Sequence, residues 1–160
     1  MKSLFATWVG AVLCLCQMGP IAAQTGSGAA AGVIKNSLGT VTLERAGQRQ
    51  PVQVGQMVRV GDTLRTGPAS AAGITLADDT LLTAGPNSEL VISQFAFDAT
   101  TQDGNMLASL WRGTLHVVTG LIGKKSPEKV NVQTRTVVLG TRGTEFIVDA
   151  AEGSERVAKQ

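Results

Sequence analysis

The sequence predicts an all-β protein, either a short β-solenoid-like fold or a curled two-sheet sandwich of many short strands. The chain has 160 residues, which suits one ordinary domain, and 16% of them are charged and 4% aromatic. The charged fraction lies below the usual share of about one quarter, and the 19 glycines exceed their ordinary share. This composition argues against a coiled coil, a helical bundle or a disordered acidic tail.

Apolar residues recur with a period of two from Val33 onward, which is typical of strands that bury one face. Ile74 and Leu76, for example, flank Thr75. Residues 105–112 resemble a short helix, but Gly113 would stop it after about two turns, so a strand or short turn is predicted there. Other strands are predicted at residues 41–43, 52–54, 58–60, 89–97, 114–118, 130–134 and 146–148.

The first 23 residues are predicted to be a secretory signal peptide. Lys2 supplies a positive charge, residues 4–16 are apolar almost throughout, and small residues precede a cleavage site after Ala23. The apolar run is shorter than the roughly 20 residues that span a bilayer. We therefore expect a periplasmic protein with no membrane span after signal removal. Both cysteines lie inside the signal, so no disulfide is expected.

Three further segments follow the predicted signal. Residues 24–32 contain mainly Gly, Ala and Ser and are predicted to be a flexible leader. The β domain is assigned to residues 33–150, and residues 151–160, which are polar and lack a period, are predicted to be a flexible tail.

An internal repeat supports the β architecture. The run Asp62-Thr63-Leu64-Arg65-Thr66-Gly67-Pro68 returns as Asp79-Thr80-Leu81-Leu82-Thr83-Ala84-Gly85-Pro86. Each copy ends with a serine two residues beyond its proline, and each aspartate suits a turn in which the carboxylate accepts a backbone N–H two residues on. A weaker third copy begins at Gly113. The repeat predicts that strand, turn and strand recur.

Several segments, in this order and spacing, resemble the FecR domain family. They are Gly39-Thr40-Val41, Val60-Gly61-Asp62-Thr63-Leu64-Arg65-Thr66, Ala72-Gly73-Ile74-Thr75-Leu76-Ala77-Asp78-Asp79-Thr80, Asn87-Ser88-Glu89-Leu90, Arg112-Gly113-Thr114-Leu115, Val132-Gln133-Thr134 and Arg142-Gly143-Thr144-Glu145-Phe146. One departure is Arg135, where the family often has proline. The resemblance implies an all-β periplasmic domain of β-solenoid-like character.

The best-known members of that family are inner-membrane regulators. The resemblance implies a cytoplasmic segment that controls a sigma factor and a periplasmic part that receives a signal from an outer-membrane iron-siderophore receptor. This chain has a predicted signal peptide where those regulators have the cytoplasmic segment and the spanning helix, and it ends soon after Phe146. We therefore expect neither the sigma-factor role nor the receptor-binding subdomain, but a stand-alone binding or scaffolding module.

Candidate chemical sites all favour structural interpretations, so no catalytic residue, cofactor or metal is predicted. His116 is the single histidine, which is too few for zinc, and no Gly-x-Ser-x-Gly elbow is present for a serine nucleophile. His116 is therefore expected to face solvent or to be a hydrogen-bond partner. The run at 120–126 lacks phosphate-loop spacing and is expected to be a solvated basic loop. The polar run at 98–105 lacks calcium-ligand spacing, so a hairpin turn at Asp103-Gly104 is predicted.

Two further patterns are also interpreted as structural. Adjacent carboxylates at Asp78 and Asp79 would point to opposite sides of an extended chain, which suits a turn better than acid–base catalysis. A run like the start of a LysM module at 58–64 does not continue into a helix, so strand and turn are predicted. The densest positive stretch is expected to be a charged face rather than a ligand clamp; it comprises Arg45, Arg49, Arg59 and Arg65.

The candidate binding residues are Phe95 and Phe97, on a predicted strand with apolar residues on both faces. Three explanations compete. A bulge near Ser93 or Gln94 could turn the rings inward, another segment could cover them, or a partner could bury them as an exposed strip. The exposed strip is our hypothesis for the binding surface.

Taken together, these patterns predict a non-catalytic periplasmic module for ligand or protein binding, sensing or scaffolding. Its partner is expected to be an envelope protein or a cell-wall glycan. The alternative is a dedicated peptidoglycan-binding module. Nucleic acid is not expected, because the net charge is only +2 and no basic helix is present in the sequence.

Overall fold

The fold was described from a computed structural model, which covers residues 28–140, 144–151 and 154–159. The predicted signal peptide lies outside these residues. Within them, strands form most of the chain, which confirms the all-β prediction. They are β1 (Ala30–Leu38), β2 (Val41–Arg45), β3 (Gln48–Pro51), β4 (Met57–Arg59), β5 (Thr63–Thr66), β6 (Ala71–Leu76), β7 (Leu81–Ala84), β8 (Glu89–Asp98), β9 (Asp103–Val118), β10 (Val130–Gln133), β11 (Val138–Gly140), β12 (Glu145–Ala151) and β13 (Ser154–Lys159), with a short helix α1 (Leu121–Lys125) and a 3₁₀ turn (Pro127–Lys129).

The strands form one curled sheet with two halves, and the long strand β9 belongs to both. In the first half, β4, β1, β6 and β7 lead to the C-terminal part of β9, which also pairs with β12, and β12 pairs with β13. In the second half, β3, β2, β5 and β8 lead to the N-terminal part of β9, followed by β10 and β11. Among the described strands, β9 and β10 pair parallel and the others antiparallel. A β-solenoid stacks parallel strands, whereas nearly all of these pairs are antiparallel. Of the two predicted forms, the curled sheet is therefore the one observed.

The apolar core contains side chains from both halves of the sheet. Leu43 of β2, Ile74 of β6 and Leu110 of β9 are at most 1% exposed. Thr42 and Thr75, their neighbours along the strands, are only partly buried. This alternation follows from the two-residue period of a strand and confirms the sequence pattern. Among the described residues, no helix is long and apolar enough to span a membrane.

The repeated serines build two corners at which the chain passes from one half to the other. Between β1 and β2, the Thr40 N–H donates to Ser70 Oγ at 2.9 Å. Within β9, the Thr114 N–H donates to Ser88 Oγ at 3.0 Å. Each serine also donates to the carbonyl of the proline two residues before it. The repeat is therefore a repeated corner rather than a repeated solenoid rung.

Each corner also contains a glycine that no other residue can replace without strain. Gly39 and Gly113 have φ of 72° and 81°, and a Cβ on either would collide with the corner serine, Ser70 or Ser88. The run that begins at Gly113, predicted as a weak copy of the Asp62 run, therefore corresponds instead to Gly39 and the strand after it.

The two predicted flexible segments differ from what is observed. The predicted leader contains the start of β1, and Ala31 is fully buried. Its small residues allow close packing, since a Cβ on Gly32 would collide with the backbone of β6. The predicted tail contains β13, which pairs along its length with β12. Backbone pairing holds this strand, and such pairing leaves no periodic signal in the side chains.

Three local predictions were also wrong. Val54 is not in a strand but in an exposed turn after β3. The segment expected to be a solvated basic loop contains α1, with Ile122 buried. The β8–β9 turn precedes Asp103, and Gln102 adopts a φ of 55° there. Gly104 lies within β9, where a Cβ would collide with the Ile122 side chain.

Candidate functional site

The two predicted binding residues lie on β8, beyond a β-bulge. The register of β8 against β9 shifts between Ile92 and Gln94, so Ser93 is the extra residue, and its Oγ lies 2.6 Å from Ser109 Oγ. The bulge turns Phe95 into the core, where it is 8% exposed. Of the three explanations, the bulge is the one observed, and Phe95 cannot form an exposed strip.

Phe97 has a different environment. It packs against the edge of the core but remains partly exposed. Its cross-strand partner is Gly104, which has no side chain to cover the ring. Phe97 therefore keeps the accessibility that Phe95 has lost, and a binding role for it stays a prediction.

Asp98 orders the turn that closes the hairpin next to Phe97. Its Oδ1 accepts the backbone N–H of Thr100 at 2.8 Å and of Thr101 at 3.1 Å. These hydrogen bonds, chiefly that from Thr101, lower the pKa of Asp98 below its ordinary value because they stabilise the ionised carboxylate. Asp98, which belongs to the polar run interpreted as a turn rather than a calcium site, thus holds a turn with its carboxylate.

Helix α1 packs beside the hairpin because the turn between β6 and β7 holds its first residues. The carboxylate of Asp78, which is fully buried, accepts the N–H and the hydroxyl of Thr80. The backbone carbonyl of Asp78 accepts the Leu121 N–H at 2.7 Å. The bond to the backbone two residues on was predicted for Asp79, but Asp78 makes it, and Asp79 adopts a positive φ of 65° instead.

Lysines at the end of α1 and at the end of the 3₁₀ turn contact the hairpin. Lys125 Nζ lies 3.2 Å from Asp103 Oδ2 and also donates to the Thr101 carbonyl, and Lys129 Nζ lies 3.7 Å from Asp103 Oδ1. The pKa of Asp103 is lowered, mainly by the Lys125 hydrogen bond and charge. All three side chains are exposed by about half, so the pairs contribute little stability.

An open cleft of about 600 Å³, which we call the hairpin cleft, lies at the end of the β8–β9 hairpin. It is lined by residues 96–98, residues 103–105 and Lys129. Asn105 is exposed, and its amide makes no side-chain hydrogen bond within the described ranges. Sequence reasoning gave no role to Asn105 or Lys129. They become neighbours only through the parallel pairing of β9 with β10, which no local motif indicates.

Arg45, Arg49 and Arg65 of the positive stretch contact carboxylates. Arg45 forms two hydrogen bonds with the carboxylate of Asp62, at 2.8 and 2.6 Å, and Asp62 is 2% exposed. This hydrogen bonding raises the pKa of Arg45 above its ordinary value. Asp62 also accepts the Arg59 N–H, so its bond runs to the turn before it, not to the residue two positions later.

Charges of alternating sign also cross five strands on the outer face of the second half. Glu44 of β2 contacts Arg49 of β3 and Arg65 of β5, and Glu89 of β8 contacts Arg65 and Arg112 of β9. The hydrogen bond from Arg49 is the main cause that lowers the pKa of Glu44. We call these paired charges the charge ladder. They form a charged face, as the sequence predicts, rather than a cluster of arginines that binds an anion.

His116 lies on the outer face of the first half. Its Nε2 is 2.7 Å from Glu145 Oε1, and both side chains are more than one third exposed. The predicted hydrogen-bonded histidine is therefore confirmed. Within the described part of the chain, no three His, Cys, Asp or Glu side chains are grouped closely enough to hold a metal.

Comparison with known proteins places the chain in a family. A family model described as "FecR protein" matches residues 62–158. The chain belongs to the FecR family. This confirms the resemblance seen in the sequence motifs. Within this FecR protein the match begins at Asp62, so strands β1–β4 precede it.

The chain is also similar to one solved structure, titled "Cell surface anchoring domain". The sequences are 30% identical, and the alignment covers 39% of this chain and 83% of that one with a TM-score of 0.37. A comparison of this FecR protein with curated proteins finds no match.

Proposed function

We propose that this FecR protein is a non-catalytic module of the cell envelope that binds an envelope protein or a cell-wall glycan. The family match over residues 62–158 carries the proposal. The N-terminal sequence supports it as well, since residues 1–23 have the pattern of a cleaved secretory signal. In this proposal the module acts in the periplasm by binding, sensing or scaffolding.

The hairpin cleft supports a binding role more than the other described surfaces do. The charge ladder and the Arg45–Asp62 pair join oppositely charged side chains, whereas the end of the hairpin has the partly exposed ring of Phe97 on one face and the exposed Asn105 amide on the other. A binding site commonly combines apolar surface with a few polar groups that orient the ligand.

Crosslinking in cells tests this proposal. A photoreactive amino acid at Ala96, which is exposed in the cleft, is compared with one at Gln50, which is exposed on the edge strand β3. We expect a crosslinked envelope component from position 96 and not from position 50. If neither position, nor a scan of the remaining exposed positions, captures any envelope component, the proposed function is wrong.

Export to the periplasm is tested separately by the intact mass of the protein recovered from the envelope fraction. Cleavage after Ala23 gives a chain that begins at Gln24. A mass that includes residues 1–23 contradicts the cleaved signal.

A cell-wall glycan is the second candidate partner, favoured by Phe97 at the hairpin cleft. A partly exposed aromatic ring suits a sugar, because the ring can stack on the apolar C–H face of the sugar.

A further inference from the structure

The outer face of the first half carries a row of mainly apolar side chains that crosses five strands. Cross-strand partners point to the same face of a sheet, and successive pairs place the members of the row side by side: Met57, Val33, Thr75, Leu81 and Val118. We call these five residues the apolar row. Met57 is 57% exposed and Leu81 is 45% exposed. The outer face of the second half carries the charge ladder instead, so the apolar row indicates an interaction surface.

The two sides of this face carry opposite charges. On β1, Lys35 is the extra residue of a β-bulge; it is exposed and makes no ion pair within the described ranges. On β12, Glu145 pairs across the sheet with Val118, and its Oε1 contacts His116. The face therefore has a positive charge on one side of the apolar row and a carboxylate on the other.

Strand β7 lies midway between these two charges. β6 separates β7 from β1, and β9 separates it from β12. A two-fold axis along β7 therefore places β1 of one copy opposite β12 of a second copy, and does so twice. Leu81 then meets its own counterpart at the axis. Lys35 lies two residues along β1 from Val33, which shares a row with Glu145, and a lysine side chain is long enough to span that offset.

The size of the face fits a weak dimer. Adjacent strands lie about 4.8 Å apart, so the five intervals from β4 to β12 span roughly 24 Å. Three rows of outward side chains, of which the third contains Leu38, give roughly 20 Å along the strands. Two such faces bury about 1,000 Å² in total, near the lower limit for a specific interface. Association in the micromolar range is expected from such an area.

We infer that this face binds a second copy of the chain, in a two-fold dimer with Leu81 at the axis and Lys35 of each copy paired with Glu145 of the other. A two-fold interface uses one patch twice, so the patch must complement itself. An apolar row with opposite charges at equal distances from its centre meets that requirement. The inference goes beyond the proposed function, because the hairpin cleft lies in the second half and takes no part in the dimer.

Analytical ultracentrifugation of the purified mature protein over a dilution series tests the dimer. The wild type should pass from monomer to dimer in the micromolar range. Leu81→Asp should weaken association at least about a hundredfold, because two carboxylates meet at the axis. Val138→Asp is the matched control, since it places the same charge at an exposed valine of β11 in the second half. It should associate like the wild type.

Exchange of the two charges tests the symmetry. Lys35→Glu and Glu145→Lys should each weaken association by about tenfold, because each variant places like charges opposite one another. A mixture of these two variants should associate like the wild type, because both contacts between the unlike copies then join opposite charges. This measurement decides the matter if Leu81→Asp melts far below the wild type.

Each outcome supports or overturns the dimer. Association that Leu81→Asp abolishes and the mixture of charge variants restores supports it. Association that Leu81→Asp and both charge variants retain overturns the assignment to this face. A wild type that stays monomeric at every concentration overturns the second copy as the occupant, even if a photoreactive residue at position 81 captures another envelope component. The crosslinks from position 96 test the proposed function independently of all three results.

Discussion

Phe95 and Phe97 lie two positions apart on one face of β8, yet they have different surroundings. The bulge at Ser93 sends Phe95 under the sheet, where it is 8% exposed, while Phe97 reaches the open end of the hairpin. A residue's position along a strand thus does not determine its burial, because the edge of the core passes between the two rings.

Truncation of each ring measures this difference. Phe95→Ala should lower the free energy of unfolding by about 3–5 kcal/mol, as for other core phenylalanines. Phe97→Ala should cost clearly less, since part of the ring already contacts water. Urea unfolding of both variants gives the two values. Equal losses would mean that Phe97 belongs to the core as much as Phe95.

Asp62 is the carboxylate whose loss of a partner should matter most. Arg45→Met leaves its negative charge 2% exposed with only the Arg59 N–H among the bonds described above. Breaking a buried pair costs roughly 3–5 kcal/mol, and we expect about 2–3 here because Arg45 is 28% exposed and screened by water. Arg49→Met, which breaks an exposed pair, is the control and should cost below about 1 kcal/mol. Similar losses in a urea titration contradict this ranking.

The stability of the hairpin end should depend on pH through Asp98. Its folded pKa lies below the ordinary 3.8, so the ionised form is favoured by folding. The resulting stability is fully present above the ordinary pKa and is lost as pH falls through the folded value. Thermal midpoints between pH 7 and pH 2 should fall less in Asp98→Ala than in the wild type. The same fall in both proteins would contradict this contribution.

At the scale of single elements, the two corners determine where strands change halves. Gly113 needs a positive φ and also lies against Ser88, so it combines a backbone requirement with a packing one. Gly47 has a similar φ of 78° but open space around it. A comparison of the two glycines therefore separates the cost of backbone strain from the cost of a steric collision.

Alanine substitutions at these glycines should differ in cost. Gly47→Ala should destabilise by about 1 kcal/mol, the cost of a non-glycine residue at positive φ. Gly113→Ala should cost more than about 3 kcal/mol, because β9 must also move away from Ser88. Thermal or urea unfolding compares them. If Gly113→Ala is as stable as Gly47→Ala, the corner can accommodate a Cβ next to Ser88 at little cost, and the prediction is wrong.

The elements also show what sequence reasoning reaches. Strands with one buried face were predictable, because Leu43 and Ile74 alternate with threonines and this period is local. Helix α1 was not, because the bonds from Asp78 to its first turn join residues far apart in the chain. Strand β13 and the start of β1 were missed for a related reason, since backbone pairing and close packing of small residues leave no alternation.

The candidate site was predictable only in part. Phe97 stood out because aromatic residues are rare in this chain. Asn105 and Lys129 did not, since a lone amide and a lone lysine carry no motif, and the pairing of β9 with β10 alone brings them to one cleft. The Arg45–Asp62 pair was equally hidden, because Arg45 ends β2 and Asp62 lies in the turn before β5, far along the chain.

At the scale of the molecule, the family match leaves out strands that the core requires. Residues 62–158 lack β1 and β2, yet β1 pairs with β6 and β2 pairs with β5. Buried side chains from the excluded strands include Ile34 and Leu43, both 0% exposed. The folding unit is therefore larger than the matched segment.

A fragment of residues 62–158 should not fold alone. Removing β1–β4 exposes the inner faces of β5 and β6, so we expect no cooperative thermal transition and poor dispersion of amide signals. The control is residues 28–160, which contain every described strand and should melt cooperatively. A sharp transition in the shorter fragment would contradict this larger folding unit.

The placement of β1 and β13 in the same half of the sheet has a mechanical consequence. The described chain enters through β1 and leaves through β13, and both strands belong to the first half. Tension applied along the chain at these two strands is therefore carried by the first half, through the β1–β6 and β12–β13 hydrogen bonds. The hairpin cleft lies in the second half, on the β8–β9 hairpin, so we expect it to keep its shape when the module is pulled from both ends.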